Sequence, residues 1–242
     1  MTYCLGICVA EGIVFASDSR TNAGVDYASV YSKMHHFKPA PDRQFMLLSS
    51  GNLALSQEVM YHLRRDLDHP GKFGNLVSAR YLFEAAEYVG KVCLAIQNDH
   101  RAALHSSGLS TEVTLIFGGQ IAGEPHQLFL IYPQGNYVAT SSDTPFLQIG
   151  ETKYGKPVLD RFARLGMSLA DAAQLSLVSL EGTVRSNISV GPPYEVAIYA
   201  KDSLQIGRRF KFESSDRFLD QLSDAWHRGL GATFQNLPRY PW

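Results

Sequence analysis

The chain has 242 residues, 45% apolar and 19% charged, a globular balance within the range of one large layered domain. With 22 basic residues against 23 acidic ones the formal net charge is −1, which excludes the electrostatic footprint of a nucleic-acid binder. No apolar run approaches the roughly 18 residues of a membrane helix, and the amino terminus lacks the basic segment and small-residue cleavage site of a secretory signal, so a cytoplasmic protein without a membrane partner is expected.

Tyr3 to Val9 and Ile13 to Asp18 are apolar runs around Ala10-Glu11-Gly12, the pattern of a β-hairpin. Antiparallel pairing sets the start of one strand beside the end of the next, so Thr2 and Asp18 are expected at the same end. Cys4 and Cys8 lie in the first run and read as small core hydrophobes; with Cys93 the count is odd and lacks CxxC spacing, so no disulfide framework is expected. Asn22-Ala23-Gly24 reads as a loop, and Lys33 to Phe37 as a strand with Lys33 at its start. Pro39 to Arg43 reads as a turn, and Gln44 to Ser49 as a strand running into Ser49-Ser50-Gly51-Asn52.

Leu55, Val59, Leu63 and Leu67 predict a helix from Leu53 to Leu67, stopped by His69-Pro70-Gly71. Leu82, Ala86, Val89, Cys93 and Ile96 predict a second from Ser78 to Gln97. Polar Asp99 to Thr111 reads as a loop. Val113 to Gly118, Gln127 to Tyr132, Tyr137 to Thr140 and Phe146 to Ile149 read as strands. A helix from Lys153 to Leu165 is expected to end at Gly166 as a left-handed cap, and Ser168 with Asp171 resembles a capping box opening the next one. Glu195 to Ala200 and Leu204 to Phe212 form a hairpin around Lys201-Asp202-Ser203, and a last helix spans Ser215 to His227.

Strand runs alternating with helix pairs do not fit a parallel βαβ array. They predict an α+β fold of two antiparallel sheets with helices on the outer faces. Residues 1–228 read as one domain. Residues 229–242 read as an extension whose Phe234, Tyr240 and Trp242 are candidates for a subunit contact.

Only Met1 precedes Thr2. Removing it would leave a hydroxyl and a free α-amine on one residue, a nucleophile carrying its own base. Asp18 and Lys33 supply the opposite charges such a site needs. His35-His36 is not a metal pair, because adjacent strand residues point to opposite faces. Neither HExxH nor a Cys/His cluster occurs, so no metal and no cofactor is expected.

The stretch Phe15-Ala16-Ser17-Asp18-Ser19-Arg20-Thr21-Asn22-Ala23-Gly24 resembles the equivalent segment of proteasome β subunits. Lys33, the Ser50-Gly51 turn and Ser186-Asn187-Ile188-Ser189-Val190-Gly191 fall where that family has motifs, in order over residues 2 to about 228. The exposed Thr2 without a propeptide, Ser189-Val190-Gly191-Pro192-Pro193 and the carboxy-terminal extension are most similar to Anbu, the bacterial ancestral β-subunit branch.

The resemblance implies a four-layer α/β/β/α N-terminal-nucleophile hydrolase, a threonine-type peptidase acting on peptide or unfolded protein within a homo-oligomeric ring or open ring. It makes Thr2 the nucleophile and its amine the proton carrier, with Lys33 depressing the amine pKa and Asp18 holding Lys33. Ser189 and Ser186 complete the catalytic set, Ser186 standing where the family has an aspartate. Leu48 and Gly51 would supply oxyanion donors, Leu48 in place of a family glycine. Thr21, Tyr31, His35, Met46 and Ser50 would line the substrate pocket. A family serine before the third helix is replaced within Glu151-Thr152. A non-catalytic assembly subunit is the alternative, and an amidase acting on small amides a third reading. No ATPase partner is read from the sequence.

Overall fold

The structure, a computed structural model, describes residues 1–22 and 28–241; the expected loop at Ala23-Gly24 and the aromatic Trp242 lie outside the described residues. The chain opens with β1 (Tyr3–Val9), β2 (Gly12–Asp18), β3 (Arg20–Asn22), β4 (Ala28–Val30), β5 (Met34–Ala40) and β6 (Arg43–Gly51). Helices α1 (Leu53–Asp68) and α2 (Leu82–Ser106) follow, then β7 (Val113–Ile121), β8 (Gln127–Ile131), β9 (Tyr137–Ala139) and β10 (Phe146–Gly150). Then come α3 (Lys156–Phe162), α4 (Leu169–Ser186), β11 (Tyr194–Ala200), β12 (Ile206–Phe212) and α5 (Arg217–Gln235).

One five-stranded antiparallel sheet has the order β10-β1-β2-β11-β12, and a second the order β5-β6-β7-β8-β9. The side-chain period of two sorts the central strands β1, β2, β6 and β7 into two buried faces, while the edge strand β12 is largely exposed. On β1, Cys4 and Cys8 face the other sheet, packing with Phe15, Met46, Leu48 and Ile116. Tyr3, Leu5, Ile7 and Val9 face Leu175 and Leu180 of α4. On β6, Phe45 and Leu47 face Val59, Leu63 and Val89 of α1 and α2. Strands buried on both sides read as continuous apolar runs, which is why these are so legible in the sequence. The layers are therefore helix, sheet, sheet, helix.

Several elements differ from the sequence expectation. The helix α2 continues to Ser106 through a stretch read as loop. After Gln97 its residues are exposed apart from the partly buried His100 and Leu104, so the last turns look polar, while Leu104 keeps the apolar stripe. It starts at Leu82 because the Asn75 side chain takes the Val77 and Ser78 N–H groups and that of Glu84 takes the Arg80 and Tyr81 N–H groups. Pro157 in the first turn sets the start of α3. Its end is at Ala163, where the Arg164 guanidinium covers the last carbonyls, so Gly166 is not the cap. Strand β5 runs to Ala40 with an irregular register around Pro39, tolerated because β5 is an edge strand. The short β3–β4 hairpin is an addition, and α5 runs through Gly229 to Gln235 instead of stopping at His227.

Among the described residues no helix is long and apolar enough to cross a membrane.

Candidate active site

The site grows from the open end of the β1–β2 hairpin. Cys4 pairs with Ser17, so the chain before β1 lies beside the end of β2. There Tyr3 N–H donates to Asp18 Oδ1 at 3.0 Å. Lys33, just before β5, donates from Nζ to the same oxygen at 2.5 Å and to the Arg20 carbonyl at 2.6 Å. Gly191 N–H reaches Asp18 Oδ2 at 3.3 Å. Asp18 is fully buried and Lys33 nearly so. Burial pushes the Asp18 carboxyl above the ordinary carboxylate range, while the Lys33 ammonium and the two backbone donors draw it back. A buried charge without such a partner would be prohibitive.

Thr2 is half-buried and held through its main chain. Its carbonyl accepts from Glu151 N–H at 2.7 Å. Gly150 takes φ +83°, and a Cβ there would stand 2.0 Å from the Thr2 carbonyl oxygen. Gly150→Ala is therefore expected to cost about 2–3 kcal/mol, read as a lowered urea midpoint. An unchanged midpoint would show that this turn does not clasp residue 2.

The amino group of Met1 is held below its ordinary value by burial first and then by the Lys33 ammonium, with Asp18 and Glu151 pulling the other way. The amino terminus thus lies within the fields of all three side chains. Glu151 is buried, and its Oε2 accepts from Asn187 Nδ2 at 2.9 Å. Asn187 Oδ1 in turn accepts from Ser189 Oγ–H at 2.6 Å and from Ser189 N–H at 3.0 Å. Ser186 is the exposed last residue of α4, and the side chain meeting Ser189 belongs to its neighbour Asn187. Sequence reasoning marked Glu151-Thr152 only as the place of a replaced family serine and quoted Asn187 only within a motif; it gave neither side chain a role at the site. The available signal was an acid directly after a strand-ending glycine.

Leu48 and Gly51 are not equivalent. Leu48 sits inside β6, paired with Met34 on one side and Ile116 on the other, fully buried between the sheets. That correction follows from the ladder: a mid-strand residue of a central strand has its backbone taken up by its neighbours. Ser49 N–H is also engaged, donating to the Lys33 carbonyl at 3.0 Å. Gly51 ends the strand, exposed, with φ +107°.

The expected pocket set does not form one wall. Met46 is buried between the sheets and pairs with His36, whereas His35 pairs with Leu47 on the α1 side. Burial, with Arg64 and Arg209 nearby, lowers the His35 pKa to about 4, so the ring is neutral at pH 7. Thr21 lies on β3, directly after the Arg20 carbonyl that accepts from Lys33, and Ser50 Oγ stands 3.1 Å from where a Gly150 Cβ would lie. Tyr31 is exposed, with its N–H on the Ser19 carbonyl at 2.9 Å. Burial pushes the Cys4 thiol up and removes it as a rival nucleophile. No group of three or more His, Cys, Asp or Glu that could hold a metal occurs among the described residues.

Two antiparallel sheets between helix layers, with a buried Asp–Lys pair at the amino-terminal end of the first strand, define a protein of the proteasome β-subunit class. No protein-family model matches the chain. "Proteasome subunit beta 2" of Pyrobaculum islandicum is 25% identical over 210 residues, 85% of this chain and 94% of that protein. The solved structure of an Anbu (Gly-1) mutant from Hyphomicrobium sp. strain MC1 is 38% identical over 100% of both chains, with a TM-score of 0.92. Anbu (ancestral beta-subunit) from Yersinia bercovieri is also 38% identical over 100% of both, at TM-score 0.90. Anbu from Pseudomonas aeruginosa, solved as a helical assembly, is 37% identical over 99% of this chain and 98% of that one, at TM-score 0.91. The chain belongs to the Anbu family of ancestral β-subunits.

Proposed function

We propose that this chain is a threonine-type peptidase whose nucleophile is Thr2 after loss of Met1. The observation that carries the reading is the buried Lys33–Asp18 pair bonded to the N–H of Tyr3, the residue next to Thr2. The freed amine takes the Thr2 Oγ proton as Oγ bonds to the substrate carbonyl carbon. The amine's ordinary pKa of about 8 suits a proton carrier near neutral pH. Lys33 depresses it further and stabilises the developing alkoxide, and Asp18 aims the ammonium. Gly51 N–H, at the open end of β6, serves as the oxyanion donor. The resulting ammonium then gives its proton to the leaving nitrogen as the C–N bond breaks, leaving an ester on Thr2. Water, giving a proton to the same amine, attacks the ester, and collapse releases the acid while the proton returns to Oγ.

The class of substrate is a peptide or unfolded chain, in keeping with the proteasome β likeness. A homo-oligomer is supported by the helical assembly of the P. aeruginosa relative. Phe234, Leu237 and Tyr240, exposed at the carboxy-terminal end, are the proposed contact.

Fluorogenic peptide hydrolysis by two forms of the chain, with and without Met1 as sorted by intact mass, tests the reading. The form with Met1 removed is expected to be faster by about 10²–10⁴-fold, the worth of a positioned general base. Equal rates would contradict an N-terminal nucleophile.

A further inference from the structure

Glu151 is a buried carboxylate that the peptidase reading leaves without a task. Its main chain is fixed beside residue 2 by its N–H on the Thr2 carbonyl and by the close approach of Gly150. Its side chain is fixed by Asn187, which also holds Ser189, so two segments from distant parts of the chain, its start and the stretch after α4, brace one acid. Among the described residues no lysine, arginine or histidine forms an ion pair with it. Buried glutamates are seldom left without a cation. The Asn187 Nδ2 that bonds Glu151 Oε2 also reaches Met1 Sδ at 3.8 Å, so the carboxylate is braced against the first residue of the chain as its main chain is against the second. The cation nearest to hand is the amino terminus, whose titration Glu151 raises together with Asp18 and against Lys33.

We propose that Glu151 is a positioning residue for the amino terminus, its carboxylate braced by Asn187 and holding the protonated amine of Thr2 in place. The proposal rests on the Thr2 peptidase reading for its purpose and names a second counterweight to Lys33, beside Asp18. Lys33 repels the proton and favours the amine as a base; Glu151 attracts it and keeps the ammonium aimed until the leaving nitrogen takes it. Opposed charges around one amine, Lys33 on one side and Glu151 with Asp18 on the other, suit a group that must accept a proton and then return it.

Glu151→Gln removes the charge while retaining an oxygen for Asn187 and the backbone bond to Thr2. The chain is made with a cleavable amino-terminal fusion, so that cleavage leaves Thr2 first. The pH dependence of acylation of the Thr2 amine by acetic anhydride is then read by mass on the N-terminal peptide. The midpoint is expected to fall by roughly half to one pH unit in Glu151→Gln and to return toward the parent in Glu151→Asp. The acid limb of the peptide-hydrolysis profile should move the same way. Identical amine midpoints in all three proteins overturn the proposal. Midpoints that shift as stated, in proteins that leave every peptide intact, uphold the Glu151 contact and overturn the peptidase reading instead.

Discussion

Lys33→Met is expected to lower peptide hydrolysis by roughly 10²–10³-fold, the usual cost of deleting one preorganised electrostatic group, and to destabilise the fold as well. The two effects share one cause. Lys33 Nζ lies 2.5 Å from Asp18 Oδ1, and both groups are buried. Among the described residues, removing the cation leaves Asp18 the Tyr3 and Gly191 N–H groups as its hydrogen-bond partners. Breaking one side of a buried pair costs about 3–5 kcal/mol, and part of that is recovered when the stranded carboxyl takes up a proton. The sign with pH follows. An acid whose folded pKa lies above its unfolded value binds more protons when folded, so stability falls as pH rises. The deficit of Lys33→Met relative to the parent should thus be larger at pH 8 than at pH 5, by urea unfolding at each. A deficit independent of pH would mean that Asp18 is not the group left behind.

Thr2→Ala is expected to reduce turnover to background and leave the unfolding midpoint unchanged within about 0.5 kcal/mol. The structure separates these outcomes because residue 2 is tied down through its carbonyl, on Glu151 N–H, and the next residue through its N–H, on Asp18. Neither bond needs the side chain. Thr2→Ser should keep measurable turnover, since it retains the hydroxyl and loses the β-methyl that restricts χ1. A Thr2→Ala protein as active as the parent would move the chemistry elsewhere.

The element order was legible because strands buried on two faces and helices with a stripe at four-residue spacing leave unmistakable patterns. The ends were harder. The last turns of α2 bury nothing after Gln97 and so look like a loop. Gly166 looks like a cap, but Arg164 does that work from its side chain. At the site, the meeting of Asp18 with the chain start follows from hairpin geometry, while Lys33 was placed there by its charge and by the resemblance to proteasome β subunits. The bond between Glu151 and Asn187 was not legible: the two lie 36 residues apart, and only the fold joins them. The same holds for Met46 and His35. Which face each occupies depends on the register of β5 with β6, which pairs His36 and not His35 with Met46.

Peptide α′,β′-epoxyketones bond to a hydroxyl and an amine carried by one residue, so they read the central claim directly. Chain lacking Met1 is incubated with such a probe, and the adduct is located by tandem mass spectrometry. One adduct, bridging Oγ and the α-nitrogen of Thr2 and absent from Thr2→Ala, is the predicted result. An unmodified Thr2 in folded, Met1-free protein would contradict it.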